Sequence, residues 1–388
     1  MNRDFLAREL ARFDAATPIQ AAPTPPASWY VEPGFLELEK HGVLCNSWQP
    51  VGRLDQTERP GEFFSGVFLG QPYVVLRDAG GELRAFHNVC AHHAAQVVCG
   101  EGHLTELVCP YHGWTYALDG RLRSAPRLGR VEGFRVADYG LQPIPLATWG
   151  PFIFLFFGPD PRPLEEDLAP LIARVPLETI TRLKFVARRG YEIKCNWKVY
   201  VDNYLDGGYH VAHLHRGLAG QLDLEGYRTE ISPRMCIQAC AAGRADEAAP
   251  RAIDPLDFAE RIGPGATYAW LYPNFMINLY GPIMDTNWVV PLAVDRTLTV
   301  FDYYFAETEG PTAQQFIKRS LAASHQVQVE DVEISESVQV GLGSQAYDQG
   351  RYAPAVEIGE YHFHQLLRQD MEAYLCGVTN DEARMTKE

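Results

Sequence analysis

The sequence predicts a two-domain α+β protein, with a small all-β domain followed by a larger domain of antiparallel sheet and long helices. Three observations carry this. At 388 residues the chain exceeds what one hydrophobic core usually serves. From about Val43 to Phe157, short strand-like runs alternate with turn signals. After a Pro-rich junction, Pro159-Asp-Pro-Arg-Pro163, the pattern becomes mixed. The expected divisions are residues 43–158 and 159–388, with residues 1–42 forming a helix and arm that belong to the second domain.

The elements follow in order. Residues 1–20 read as an amphipathic helix with Phe5, Leu6, Leu10 and Phe13 on one side. Ala21 to Ala27, rich in Pro and Ala, reads as an extended arm docked on the surface. Strands are expected at Gly66–Gly70, Tyr73–Leu76, Leu83–Phe86 and Phe152–Phe156, with hairpin punctuation at Asp78-Ala-Gly-Gly81 and Leu118-Asp-Gly120. In the second half Tyr191–Cys195 alternates like a strand, and Asn196 to Tyr209 reads as a helix start and then a Gly-broken helix. Thr267–Pro291 and Arg296–Phe305 are strand-rich and aromatic. Thr312–Val340 has helical spacing through Phe316, Ile317, Leu321, Val327, Val332, Ile334 and Val338. Arg234 to Asp257, Ala-rich and weakly patterned, reads as a loop or mobile flap.

Composition narrows the function. Thirty-four Lys and Arg against forty-nine Asp and Glu leave a formal charge of −15, which repels nucleic acid and anionic membranes. No run approaches the ~20 apolar residues of a membrane span. The N-terminus carries Asp4, Glu9 and Asp14 and reads as no secretory signal. Eight cysteines show no disulfide framework, so a reducing cytoplasm is expected.

Two short clusters dominate the first domain: Cys90-Ala-His92 and Cys109-Pro-Tyr-His112. Each offers one thiolate and one imidazole from a loop between strands. A [2Fe–2S] cluster with two Cys on one iron and two His on the other needs this mixed supply, and imidazole in place of thiolate raises its potential. The segment V-C-A-H-H-A…V-C-P-Y-H-G-W-T-Y resembles the Rieske loops. Tetrahedral zinc is the competing reading, although zinc fingers usually pair Cys with Cys and His with His.

The second domain concentrates its chemistry in Asp202-Asn-Tyr-Leu-Asp206-Gly-Gly-Tyr-His210-Val-Ala-His213-Leu-His215. Two imidazoles and one carboxylate on one face, with open positions left over, make the facial triad of non-heme Fe(II) oxygenases. His210 and His215 suit a helix end or a broken helix. Glu330-Asp331, on a distant helical stretch, is the best source of the carboxylate. His213 reads as a supporting or structural residue. Taken alone, three histidines are also compatible with solvated or capping roles.

A Rieske motif followed by N-W-K-x-x-x-D-N-Y-L-[DE]…Y-H-x-x-x-x-H resembles the α subunit of Rieske non-heme iron oxygenases. Cys195–His215, Tyr272–Asn287, Phe301–Phe305 and the stretch from Glu330 are similar to the choline monooxygenase group, with its betaine and carnitine relatives. The similarity spans roughly residues 40–370. It implies a helix-grip catalytic domain and a Rieske cluster on Cys90, His92, Cys109 and His112. It also implies iron on His210, His215 and Asp331, and a bridging acid before the first His, for which Asp206 is the candidate and Asp202 the competitor. A homotrimer is implied, in which His112 of one subunit meets Asp206 of the next. This chain departs from the common pattern with His93 where Arg is usual. It also has one extra glycine between Asp206 and His210, which a Gly-Gly bulge can absorb.

No nucleotide-binding GxGxxG and no second cluster motif is present, so NAD(P)H electrons are expected through a separate reductase, with or without a ferredoxin. The resemblance implies hydroxylation of a small molecule with O2. A quaternary ammonium substrate needs aromatic faces, and the candidates are Tyr204, Trp270, Tyr272, Phe275, Tyr280, Trp288, Tyr303 and Tyr304, each equally compatible with core packing. Hydroxylation of an aromatic ring or another small molecule is the alternative. A Rieske electron carrier without catalysis is a third reading.

Overall fold

The computed structural model describes residues 2–215, 218, 221–243 and 260–385, with side chains as far as residue 377. The chain forms two compact units: Cys45–Pro161, and Met1–Leu44 together with Arg162–Glu388.

The Cys45–Pro161 unit holds ten strands: β1 (Gln49–Arg53), β2 (Glu62–Phe68), β3 (Gln71–Arg77), β4 (Leu83–His87), β5 (Glu101–His103), β6 (Leu107–Val108), β7 (Thr115–Tyr116), β8 (Leu122–Ser124), β9 (Leu146–Trp149) and β10 (Phe152–Leu155). They form three antiparallel sheets, ordered β4-β3-β2-β5, β1-β10-β9 and β6-β7-β8. Leu69 and Gly70, with φ of 50° and 81°, make the two-residue turn between β2 and β3, whose twist matches that of the flanking strands. The next turn is closed by Asp78, whose carboxylate accepts from the backbone N–H groups of Gly80 and Glu82 at 2.8 and 2.9 Å. Phe63, Val74, Leu76, Phe86, Trp114 and Tyr116 fill the core beneath both Cys-His arms.

The other unit is built on a seven-stranded antiparallel sheet in the order β11-β17-β16-β15-β14-β13-β12. Its strands are β11 (Lys184–Ile193), β12 (Arg228–Ser232), β13 (Met235–Ala241), β14 (Gly265–Leu271), β15 (Phe275–Tyr280), β16 (Ile283–Ala293) and β17 (Arg296–Phe305). Its helices are α1 (Arg3–Ala11), α2 (Ser28–Val31), α3 (Pro33–Glu39), α4 (Leu164–Arg174), α5 (Leu177–Thr181), α6 (Trp197–Leu205), α7 (Val211–Leu214), α8 (Gly310–Leu342) and α9 (Ile358–Met385). No helix among the described residues is long and apolar enough to cross a membrane.

Three expectations change. The N-terminal helix stops at Ala11, because Asp14 accepts from Ala16 N and Thr17 Oγ1 and closes a turn instead. Leu6, Leu10 and Phe13 are buried as expected. The stretch from Arg234 is not a loop throughout. Met235–Ala241 is strand β13, which buries Met235, Cys236, Ile237 and Cys240 and pairs with β14 from Met235↔Leu271 to Ala241↔Gly265. Residues 244–257 of that stretch lie outside the described residues.

The third change is in α8. It spans the expected stretch but turns a polar stripe inward: Ser320, Ser324, Gln328, Asp331 and Ser335 are buried, while Ile334 and Val338 are exposed. The reason is what lies under it, described next.

Candidate active site and metal centres

Each cluster arm is a closed loop. Cys90 N–H donates to Ala95 O and Ala94 N–H returns to Cys90 O, at 2.8 and 2.9 Å; Cys109 N–H donates to Trp114 O and Gly113 N–H returns to Cys109 O, at 2.8 and 3.0 Å. Ala94 and Gly113 take positive φ to complete the turns. The loops sort these cysteines and histidines by depth. Cys90 and Cys109 are buried, whereas His112 is exposed and His92 half-buried, their Nδ1 atoms 3.1 Å apart. Tyr116 Oη lies 3.2 Å from Cys90 Sγ and accepts from Ala91 N–H. Trp114 stacks on His92 with ring centroids 4.8 Å apart. Burial pushes the Cys109 thiol pKa up. His93 is exposed and beside His92, its ring centroid 4.0 Å away.

A single tetrahedral ion needs four donors close around one point. Among the described residues, ligand atoms from three such groups lie within 4.8 Å of one another only in two places, and neither draws on these four residues. Two thiols inside and two imidazoles outside, spread further apart, suit a two-iron cluster with one polar end.

The second centre sits where α6 ends. Asn196 caps α6 by accepting from Lys198 N–H, and the buried Glu39 holds both Trp197 Nε1 and Lys198 Nζ at 2.7 and 2.6 Å. After Leu205 the chain turns through Gly207 and Gly208, with φ of 72° and 77°. Asp206 closes this turn by accepting from the backbone N–H of Gly208, Tyr209 and His210, and its Oδ2 lies 2.6 Å from His210 Nδ1. The extra glycine is absorbed here.

His210 Nε2 and His215 Nε2 are 3.1 Å apart, and Asp331 Oδ1 lies 3.1 Å from His215 Nε2 and 4.0 Å from His210 Nε2. These spacings suit three donors around one ion. Both imidazoles are oriented from behind, His210 by Asp206 and His215 by Glu330 Oε2 at 2.7 Å from its Nδ1, while Asn203 Nδ2 donates at 2.9 Å to Asp331 Oδ1, the oxygen that faces the histidines. Such rear partners fix tautomer and ring direction. Burial opposes the His215 cation, but Asp331 and Glu330 outweigh it and leave its pKa raised. His213 is exposed, outside this group.

Asp202 stands elsewhere. It accepts from Tyr30 Oη at 2.8 Å and lies 3.0 Å from His364 Nε2, in the second three-ligand group with Glu360. Asp206, and not Asp202, touches His210.

A cavity opens beside the His210–His215–Asp331 group, between α6, α8 and the sheet. Of the predicted aromatics only Tyr204 and Tyr280 line it. Strand alternation explains most of the rest. Asn278 and Tyr280 on β15, Asp285 and Asn287 on β16, and Phe301 on β17 face the cavity, in register across the sheet. Phe275 pairs with Trp288, and Tyr304 with Met284, on the opposite face. Trp270 shares the cavity's face, but its indole packs against Tyr272 and Phe363 of α9. Tyr272 holds the Arg234 guanidinium on its ring. Tyr303 points under α8, 3.1 Å from Ser324 Oγ.

The composition-based reading missed Tyr227, Tyr268, Phe301 and a buried ion pair, Arg261–Asp285, all on the cavity wall. Tyr268 is the hub of a tyrosine cluster, with Tyr280 at 5.8 Å and Tyr204 and Tyr227 at 6.4 Å. Asn278 on β15 and Asp285 and Asn287 on β16, polar residues inside otherwise mostly apolar strands, were the available signal.

Comparison with known proteins gives this geometry its relatives. Residues 47–136 match the Rieske [2Fe-2S] domain, and residues 180–373 match the ring hydroxylating alpha subunit (catalytic domain). The chain is 44% identical over 379 residues to choline monooxygenase of Arabidopsis thaliana, spanning 95% of this chain and 87% of that one. It is 31% identical over 366 residues to the carnitine monooxygenase oxygenase subunit of Escherichia coli strain K12, at 90% and 94% coverage. A solved quaternary ammonium Rieske monooxygenase superposes with a TM-score of 0.80 at 27% identity, over 92% of this chain and 97% of that one. Rhodococcus naphthalene 1,2-dioxygenase, at 20% identity and a TM-score of 0.73 over 96% and 98% of the two chains, shares the fold. A Rieske [2Fe–2S] cluster and a mononuclear iron are therefore the cofactors, and the chain belongs to the Rieske non-heme iron oxygenases, with the catalytic domain of their α subunits.

Proposed function

We propose that this oxygenase is a quaternary-ammonium monooxygenase acting on a choline-like substrate. The observation that carries the reading is the tyrosine-lined cavity beside the His210–His215–Asp331 group. Tyr204, Tyr227 and Tyr268 line it, and aromatic rings attract a desolvated cation such as a trimethylammonium group. The choline and carnitine monooxygenases among the relatives support the same substrate class.

Cys90, His92, Cys109 and His112 would hold the cluster, and His210, His215 and Asp331 the iron. Bound there, the cluster supplies electrons one at a time and the iron activates oxygen for insertion into a C–H bond. The residues of this chain do the rest. Asp206 and Glu330 keep the outer nitrogens of the two imidazoles engaged, so both Nε2 atoms face inward. Asn203 holds Asp331 in place. Apolar and aromatic walls exclude water and orient the substrate.

The net change per turnover is one C–H converted to C–OH and one oxygen atom reduced to water, which consumes two electrons and two protons. Those electrons come from a separate NAD(P)H-dependent reductase, with or without a ferredoxin. We place the exposed His112 as the exit point of the cluster and Asp206 as its receiver on the neighbouring subunit of a homotrimer. The six cysteines outside the cluster, none of them in a disulfide, support a reducing compartment such as the cytoplasm.

The test is oxygen uptake by the holoenzyme with a Rieske-type reductase and NADH, across choline, carnitine, betaines and benzoates. Uptake coupled to product with a quaternary ammonium compound is expected. Coupling to benzoates alone would replace this reading with aromatic-ring hydroxylation.

A further inference from the structure

We infer that the buried Arg261–Asp285 pair selects the substrate's second functional group, admitting quaternary ammonium alcohols and rejecting those that carry a carboxylate. The inference rests on the quaternary-ammonium reading above and deepens it.

Arg261 and Asp285 both line the cavity, at 4% and 2% exposure. Arg261 is the one Arg or Lys among the described residues of that wall. A substrate carboxylate taken out of water needs a cation with donors to spare. This guanidinium has few. It donates to Asp285 Oδ2 and to Ser320 Oγ and O, and it lies 4.9 Å over the Tyr280 ring. A carboxylate brought to it would also meet Asp285 as a like charge.

An alcohol finds the opposite situation. Asp285 Oδ1 is buried and accepts no hydrogen bond among the described residues, so a substrate O–H is the donor that oxygen lacks there. Two neutral cavity atoms, Gln238 Oε1 and Gln328 Nε2, are also without hydrogen-bond partners among the described residues, and neither neutralises a carboxylate. Asp285 further cancels the Arg261 charge, which would otherwise repel the trimethylammonium group. One unit charge uncovered within about 10 Å, at an effective dielectric of about 20, changes affinity roughly tenfold or more.

The experiment compares kcat/KM for choline and γ-butyrobetaine in wild type, Asp285→Asn and Arg261→Gln, using substrate-coupled oxygen uptake by the holoenzyme. Wild type is expected to favour choline at least tenfold. Asp285→Asn should raise KM for choline at least tenfold while γ-butyrobetaine holds or improves. Arg261→Gln should move the ratio the other way, further against γ-butyrobetaine. General damage to the fold lowers both substrates together and cannot move the ratio in opposite directions.

A ratio unchanged in both variants, or wild type using γ-butyrobetaine as well as choline, overturns the assignment while the quaternary-ammonium reading stands. Wild-type inactivity on every quaternary ammonium compound overturns that reading and this assignment together.

Discussion

Substituting Gly207 by Ala tests whether the turn after α6 places the iron ligands. Gly207 has φ of 72°, and an added Cβ would lie 2.3 Å from Val356 O. The left-handed backbone costs an L-residue about 1–2 kcal/mol. The contact is the larger problem, since it falls about 1.1 Å short of the 3.4 Å at which ordinary packing begins and its partner is backbone. Asp206 and His210 flank the turn, so they must absorb a shift of roughly 1 Å, whereas a working chelate tolerates about 0.5 Å. A misplacement of that size costs about 100-fold in turnover. Gly208→Ala is the control. Its φ of 77° carries the same backbone cost, but its Cβ meets only the Tyr227 ring at 3.1 Å, and a side chain can give. Iron and acid-labile sulfide per chain, thermal stability and oxygen uptake are measured on both variants. Gly207→Ala should lose mononuclear iron and turnover and keep its sulfide, while Gly208→Ala should keep its iron and turnover number, lose stability and, by moving the Tyr227 ring on the cavity wall, raise KM. Equal iron content and equal turnover in the two variants would refute the reasoning.

The remaining expectations concern ligands, electrons and pH. Wild type should hold three irons and two acid-labile sulfides per chain, and His215→Ala should hold two and two; metal analysis of purified protein decides it. Asp206→Asn should keep all three irons and lose turnover at least 100-fold, because the charge on His210 Nδ1 is removed while the turn keeps an acceptor; undiminished turnover sinks the bridging role. Glu330→Gln should weaken iron binding about 10- to 100-fold, read by competition with a chelator. Burial pushes the Asp285 pKa up to about 6 against the pull of Arg261, with Tyr280 and Tyr303 neutral beside it. Protonation removes the negative charge, so KM for choline should rise as pH falls through about 6; Asp285→Asn should lack that limb, and an unchanged limb in the variant rules Asp285 out as its source.

What was legible in the sequence was local. Each cluster arm is a short loop whose ligands lie two or three residues apart, so residue order nearly is the geometry. The Asp206–His215 segment is similar, because a helix end and a two-glycine turn bring its members together without help from the sheet. Asp331 was reachable only through the resemblance, since it comes from a helix that nothing local ties to His215. The cavity was poorly legible. Counting aromatics gave eight candidates of which two line it, and the sorting depends on strand register, which a one-residue slip would invert. Arg261–Asp285 and Glu330–His215 join residues far apart in sequence, and no spacing marks such pairs.

The inward polar stripe of α8 shows why helical periodicity misled there. A helix covering a plain sheet buries its apolar side, and the Ile334 and Val338 positions would then face in. Here Ser324, Gln328 and Asp331 must line the cavity and the metal group, so the helix is rotated to present them and Ile334 and Val338 are left outside. That orientation forgoes hydrophobic burial, and something else must hold the helices in register. α6, which contributes Asn203 and ends just before Asp206, is fixed at its start by Asn196, Glu39, Trp197 and the fully buried Lys198. Tyr200, one turn on, donates to Gln328 of α8 at 2.8 Å. A buried ion pair such as Lys198–Glu39 adds little net stability after desolvation. Its value here is positional: it sets where α6 ends, and the end of α6 leads into the turn that carries His210, the first of the proposed iron ligands.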